Sequence, residues 1–102
     1  MQKAKEYQTI NYRSDGTTIY YISEFDPSTG KKIKKIFYRS DGKTIDCINE
    51  SDPNTGKIVK KTHFNPDGTT VDYISEFDPS TGELVKQTFY HPDGTISDII
   101  NF

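Results

Sequence analysis

The chain has 102 residues, room for one domain or one repeat array and too few for two ordinary domains. Apolar residues make up 31%, which points to a thin core, and 13 basic against 15 acidic side chains leave a net charge of −2. That balance offers no basic face for nucleic acid, no apolar run approaches the length of a membrane span, and a single cysteine excludes both an intramolecular disulfide and a cysteine-based metal site.

Residues 1–12 are polar and lack the apolar stretch of a signal peptide, so no export signal is expected within this chain and the compartment stays open. They read as a half repeat, because Ile10-Asn11-Tyr12-Arg13-Ser14-Asp15-Gly16 aligns with Ile36-Phe37-Tyr38-Arg39-Ser40-Asp41-Gly42. Three full copies follow without insertion at 13–38, 39–64 and 65–90, a period of 26 residues. Residues 91–102 are a second half repeat, one residue shorter near Ile96 than its counterparts. The whole chain is read as one β-repeat domain over 1–102.

Each copy holds two runs with the length and composition of strands, 17–25 and 31–38 in the first. Proline and glycine sit only at the joints. One joint is Asp26-Pro27-Ser28-Thr29-Gly30 and its copies, where proline presets φ and glycine supplies a left-handed exit. The other is Arg39-Ser40-Asp41-Gly42 and its copies, which suits a three-residue hairpin loop. Parallel crossovers need about a dozen residues, and no joint has them. The expected fold is therefore all-β: an antiparallel up-and-down meander of about eight strands, forming an open twisted or rolled sheet, with a closed eight-stranded barrel as the alternative.

These loop lengths predict a register in which Phe37 faces Ile45, Lys32 faces Glu50 and Phe25 faces Lys31. Odd loops preserve facing, so one face is expected to collect Tyr7, Ile19, Tyr21, Phe25, Ile33, Phe37, Ile45, Cys47, Val59, Val71, Tyr73, Phe77, Val85 and Phe89, with Lys35 and Lys61 as its charges. It reads as the inner face. The opposite face, with Glu24, Lys32, Lys34, Asp46, Glu50, Lys60, Asp72, Glu76 and Lys86 around a row of Ile22, Ile36, Ile48, Ile58, Ile74 and Leu84, reads as solvated.

No pattern points to catalysis. Each joint carries one Asp beside Ser, Thr or Asn, without the alternating acidic spacing of a calcium loop, and turn chemistry accounts for it. His63 stands where other copies have Phe37 and Phe89, while His91 begins a turn, so no zinc set or nucleophile–base pair repeats. Glu24, Glu50 and Glu76 are equivalent positions, which predicts cross-strand pairing three times over and not a glycosidase pair. Cys47 replaces Tyr21 and Tyr73 as a small packed side chain. No enzyme, cofactor or metal is expected. Any exception would be sought at Cys47 and His63, which break the repeat. The candidate interaction face is aromatic: Tyr21, Phe25, Phe37, Tyr73, Phe77 and Phe89. The expected function is a non-enzymatic hairpin-repeat module for protein–protein interaction or self-assembly; the alternative is a barrel binding a small ligand or carbohydrate.

The pairing of DG turns with (F/Y)DPxTGK turns, clearest in EFDPSTGKKIKKIFYRSDGKTI at 24–45 and DGKTIDCINE at 41–50, resembles a repeat domain of unknown function found in proteins of phytoplasmas and related wall-less bacteria. The resemblance covers nearly the whole chain. It is loosely similar to MORN-type and YD-type hairpin repeats as well, although the glycine pattern of the first and the turn spacing of the second are not kept. The resemblance implies a bacterial, host-associated origin and carries no site residue.

Overall fold

The computed structural model describes residues 7–102. Eight strands form one antiparallel sheet in chain order: β1 (Gln8–Tyr12), β2 (Ile19–Phe25), β3 (Lys32–Tyr38), β4 (Ile45–Ser51), β5 (Ile58–Phe64), β6 (Val71–Phe77), β7 (Leu84–Tyr90) and β8 (Ile96–Asn101). The meander is the expected one, and the sheet is open.

The expected barrel alternative fails for a reason visible in the register. Ile22 pairs with Ile36, Ile36 with Ile48, Ile48 with Thr62, Thr62 with Ile74 and Ile74 with Thr88. This row crosses the sheet and returns to the same repeat position every two strands, so the register accumulates no stagger. Closing a barrel requires a fixed stagger together with strand tilt.

The register itself differs from expectation. Phe37 pairs with Cys47, not Ile45, and Lys34, not Lys32, faces Glu50. Phe25 pairs with Lys32. The cause is turn chemistry that leaves an even, four-residue loop at each joint from β1 to β7. In the DG turn, Arg39 N–H donates to Thr44 O at 2.8 Å and Gly42 N–H to Arg39 O at 2.9 Å. The Asp41 carboxylate gathers the N–H of Lys43 and of Thr44 at 2.9 and 2.8 Å and also accepts from the Thr44 hydroxyl. Asp26 does the same for Ser28 and Thr29 in the other turn, where Asp26 N–H donates to Lys31 O. An even loop reverses facing, and a β-bulge at each seam from β1 to β7 restores it.

The bulges redistribute side chains. Directly opposed residues share a face. Ile19, Ile45 and Val71 pair with Tyr12, Tyr38 and Phe64, so they leave the aromatic face for the isoleucine face. Ile58 and Leu84 pair with Ser51 and Phe77 and move the other way. Ile33, Val59 and Val85 are the extra residues at their bulges and leave the strict alternation. The division into inner and solvated faces does not hold either. The sheet is a single layer in which Ile19 and Ile22 are the buried aliphatics among the described residues, and Ser23, Thr62, Ser75 and Thr88 are buried beside them on both faces. Tyr7, expected on the inner face, is 51% exposed.

The charge row survives with its membership corrected. Glu24, Lys34, Glu50, Lys60, Glu76 and Lys86 stand opposite one another in succession across β2–β7. Such opposed pairs contribute about 0.2–1 kcal/mol each. The residue missing near Ile96 comes out of the loop. His91 N–H donates to Thr95 O, leaving three loop residues, and the bulge before Tyr90 is kept.

Candidate functional site

The middle of the aromatic face carries one row that runs across the sheet: Tyr21, Phe37, Cys47, His63, Tyr73 and Phe89, each paired with the next. Four of the six expected interaction residues therefore meet. Tyr21 and Phe37 have ring centroids 5.4 Å apart, and Tyr73 and Phe89 5.5 Å. His63 stacks on Tyr73 at 4.3 Å and 16°. Phe25 and Phe77 lie four residues further along their strands and pair with Lys32 and Leu84. Two lysines of this face act as covers: Lys35 Nζ sits 4.1 Å from the Tyr21 centroid, and Lys61 Nζ 5.7 Å from that of Phe77.

Beside this row, at the DG-turn end, lies a groove of about 570 Å³ lined by Arg13, Tyr20, Phe37, Asp46, Asn49 and Lys61, together with the facing pair Cys47 and His63. Tyr20 reaches it because it is the extra residue of its bulge, between Ile19 and Tyr21 in the register. Its ring lies 5.3 Å from Tyr21 and 5.9 Å from Phe37. The arginines are inter-repeat clasps. Arg13 donates to Tyr38 O and Arg39 to Phe64 O, both at 2.9 Å. Arg13 also stacks over Tyr20 at 4.7 Å, and Arg39 pairs with Asp46 at 3.5 Å. Asn65 occupies the next equivalent position and instead donates to Thr70 Oγ1.

Three cations face one carboxylate in a chain whose net charge is negative. Asn49 Oδ1 in the lining is buried without a protein partner. Sequence reasoning missed Tyr20, Arg13, Arg39, Asp46 and Asn49 as a group. The signal available was the change from Arg13 and Arg39 to Asn65 and His91 at one repeat position.

Cys47 and His63, the two residues that break the repeat, face each other across β4 and β5. Burial raises the Cys47 thiol pKa, and the Asp46 charge adds to it. Burial lowers the His63 pKa. Both shifts favour the neutral thiol and the neutral imidazole, the opposite of the thiolate that nucleophilic or metal chemistry requires. Among the described residues no group of three or more His, Cys, Asp or Glu is placed to hold a metal ion. Among the described residues no helix is long and apolar enough to cross a membrane.

No curated protein matches the chain. Solved structures do match in fold. The crystal structure of accessory secretory protein 1, 2 and 3 in Streptococcus pneumoniae aligns with TM-score 0.65 at 20% identity, over 99% of this chain and 18% of that one. The crystal structure of TarM aligns at 0.55 and 17%, over 94% and 20%. A Staphylococcus aureus TarM G117R mutant in complex with Fondaparinux, alpha-GlcNAc-glycerol and UDP aligns at 0.56 and 18%, over 95% and 20%. The chain spans about a fifth of each. At these identities the likeness is one of fold. One family is matched twice, over residues 5–63 and 64–102, with the division falling next to the 64/65 repeat junction. The chain belongs to this family, described as "Protein of unknown function (DUF2963)".

Proposed function

We propose that this chain is a non-enzymatic β-repeat module that works by protein association, with itself or with a partner chain. The observation that carries this reading is the uncovered edge and faces of a single-layer sheet. Among the described residues two aliphatic side chains are buried, while Ile96, Ile99, Ile100 and Phe102 stand 40–66% exposed on and beside β8. Exposed apolar groups concentrated on an edge strand are the usual mark of a contact surface. The occurrence of the same fold as about a fifth of larger chains fits a module. A bacterial, host-associated setting belongs to this proposal and rests on the resemblance of the repeat alone. The test is solution mass by light scattering over a wide concentration range. Association raises the mass with concentration; a mass that stays monomeric throughout, with the charge row screened or not by salt, contradicts self-association.

A second reading keeps a carbohydrate ligand and discards the barrel. The groove combines aromatic rings with Arg13, Arg39 and Lys61, and a structure of the same fold carries Fondaparinux in its complex. Calorimetry with Fondaparinux decides it: saturable binding weakened by Lys61→Ala supports this reading, and no heat refutes it.

A further inference from the structure

We propose that two copies of this chain join edge to edge through β8, antiparallel, about a two-fold axis at Ile100, so that one continuous sheet runs through both. This rests on the association reading above and names the partner.

The register against β7 fixes what each β8 residue replaces. Ile100 pairs with Gln87 and Asn101 with Lys86, whereas Ser75 and Glu76 pair with the same two residues from the other side. By repeat equivalence, Ile100 stands where interior strands carry Ser23, Asn49 and Ser75, and Asn101 where they carry Glu24, Glu50 and Glu76. Edge strands are ordinarily blunted with charge. At these two positions the exchange runs the other way: a polar residue becomes isoleucine, and a carboxylate becomes a neutral amide, while Asp98 brings a carboxylate to the position of Tyr73. Ile99 and Ile100 point to opposite faces and are 44% and 40% exposed. A strand laid alongside covers both at once, which a ligand on one face does not.

Hydrogen-bond direction sets the register. Phe102 N–H donates inward to Val85 O at 3.0 Å. Alternation along an antiparallel strand turns the amides of Ile99 and Asn101 outward. The bulge near Ser97 disturbs the ladder before them. A two-fold axis at Ile100 sets Ile99 opposite Asn101 of the second copy, uses all four outward groups reciprocally, and brings Ile100 against its own copy as a close pair. Asp98 then faces Phe102, and no two like charges oppose. β1 matches only in part: Ile10 stands in the row of Ile99, but the polar Thr9 stands in the row of Ile100. Asp98 also acts as a brake: its Oδ1 accepts the Ile99 N–H at 2.9 Å and must release it for pairing.

In a Cys47→Ser background, Ile100→Cys is oxidised and compared with Ile96→Cys, the more exposed site at 56%. Closely opposed residues without mutual hydrogen bonds have Cα atoms about 4.5 Å apart, within disulfide reach. Ile100→Cys is expected to give covalent dimers several-fold faster than Ile96→Cys, Ile100→Lys to keep the strand signal and lose concentration-dependent mass, and Asp98→Ala to tighten association. Equal cross-linking at both sites, growth beyond a dimer, or full association of Ile100→Lys overturns the β8 seam while leaving the association reading intact. A flat mass in the unsubstituted chain removes the β8 seam and self-association together, leaving only association with a partner chain.

Discussion

Gly42→Ala tests how neighbouring repeats fit together. Gly42 holds φ +69°, and a Cβ there would lie 2.8 Å from Thr18 Cγ2 and 3.2 Å from Ile19 N of the preceding repeat. Gly16 has a similar φ, +75°, with nothing within 4 Å. Both substitutions suffer the left-handed backbone penalty, roughly 1–2 kcal/mol. Only Gly42→Ala adds crowding against a packed neighbour, about 1–3 kcal/mol. Gly16→Ala is therefore expected to cost about 1–2 kcal/mol and Gly42→Ala about 2–5. At roughly 4–8 °C per kcal/mol for a domain near this size, the two variants should melt at least about 4 °C apart. Urea and thermal melts followed by circular dichroism read the difference. Equal destabilisation would show that the DG turn does not pack on the preceding repeat, and the inter-repeat account would fail.

The remaining predictions use other contacts. Arg39→Ala removes both the bond to Phe64 O and the Asp46 ion pair and should cost about 1.5–3 kcal/mol in urea melts, whereas Asp46→Asn, losing only a partly exposed ion pair, should cost under about 1 kcal/mol. Asp15, Asp41 and Asp67 are held at about 2, below the ordinary 3.8, by the hydroxyls of Thr18, Thr44 and Thr70 first and by backbone N–H groups next. A depressed folded pKa gives stability that is fully present above 3.8 and lost as pH falls through 2, so acid unfolding should fall in that window and Asp41→Asn should flatten it. With its thiol pKa raised, Cys47 should alkylate more slowly at pH 8 than a free cysteine peptide; a faster rate would overturn the neutral-thiol assignment.

Much of the fold was legible because joints and strands use different residues. Proline and glycine fall only between strand-like runs, and joints too short for crossovers force the meander. The register was not legible from loop length. Asp41 and Thr44 together extend the turn by one residue, and the compensating bulge carries no residue signature of its own: Tyr20 and Asp46 occupy the same bulged position. For the site, the aromatic row was visible at Tyr21, Phe37, Tyr73 and Phe89 because alternation holds through the strand centres. The groove was hidden because Tyr20 enters it only through the bulge, and Arg13 and Arg39 arrive from turns 25 residues before the carbonyls they clasp. The β8 edge was hidden for a similar reason. Ile100 is informative only once the register equates it with Ser75.

Association through an uncovered edge can be read residue by residue from amide hydrogen exchange at low and high protein concentration. Ile99 and Asn101 are expected to gain protection as concentration rises while β2–β7 amides stay unchanged. Unchanged exchange at those two amides in an associating sample, or protection gained across the aromatic face instead, would contradict it.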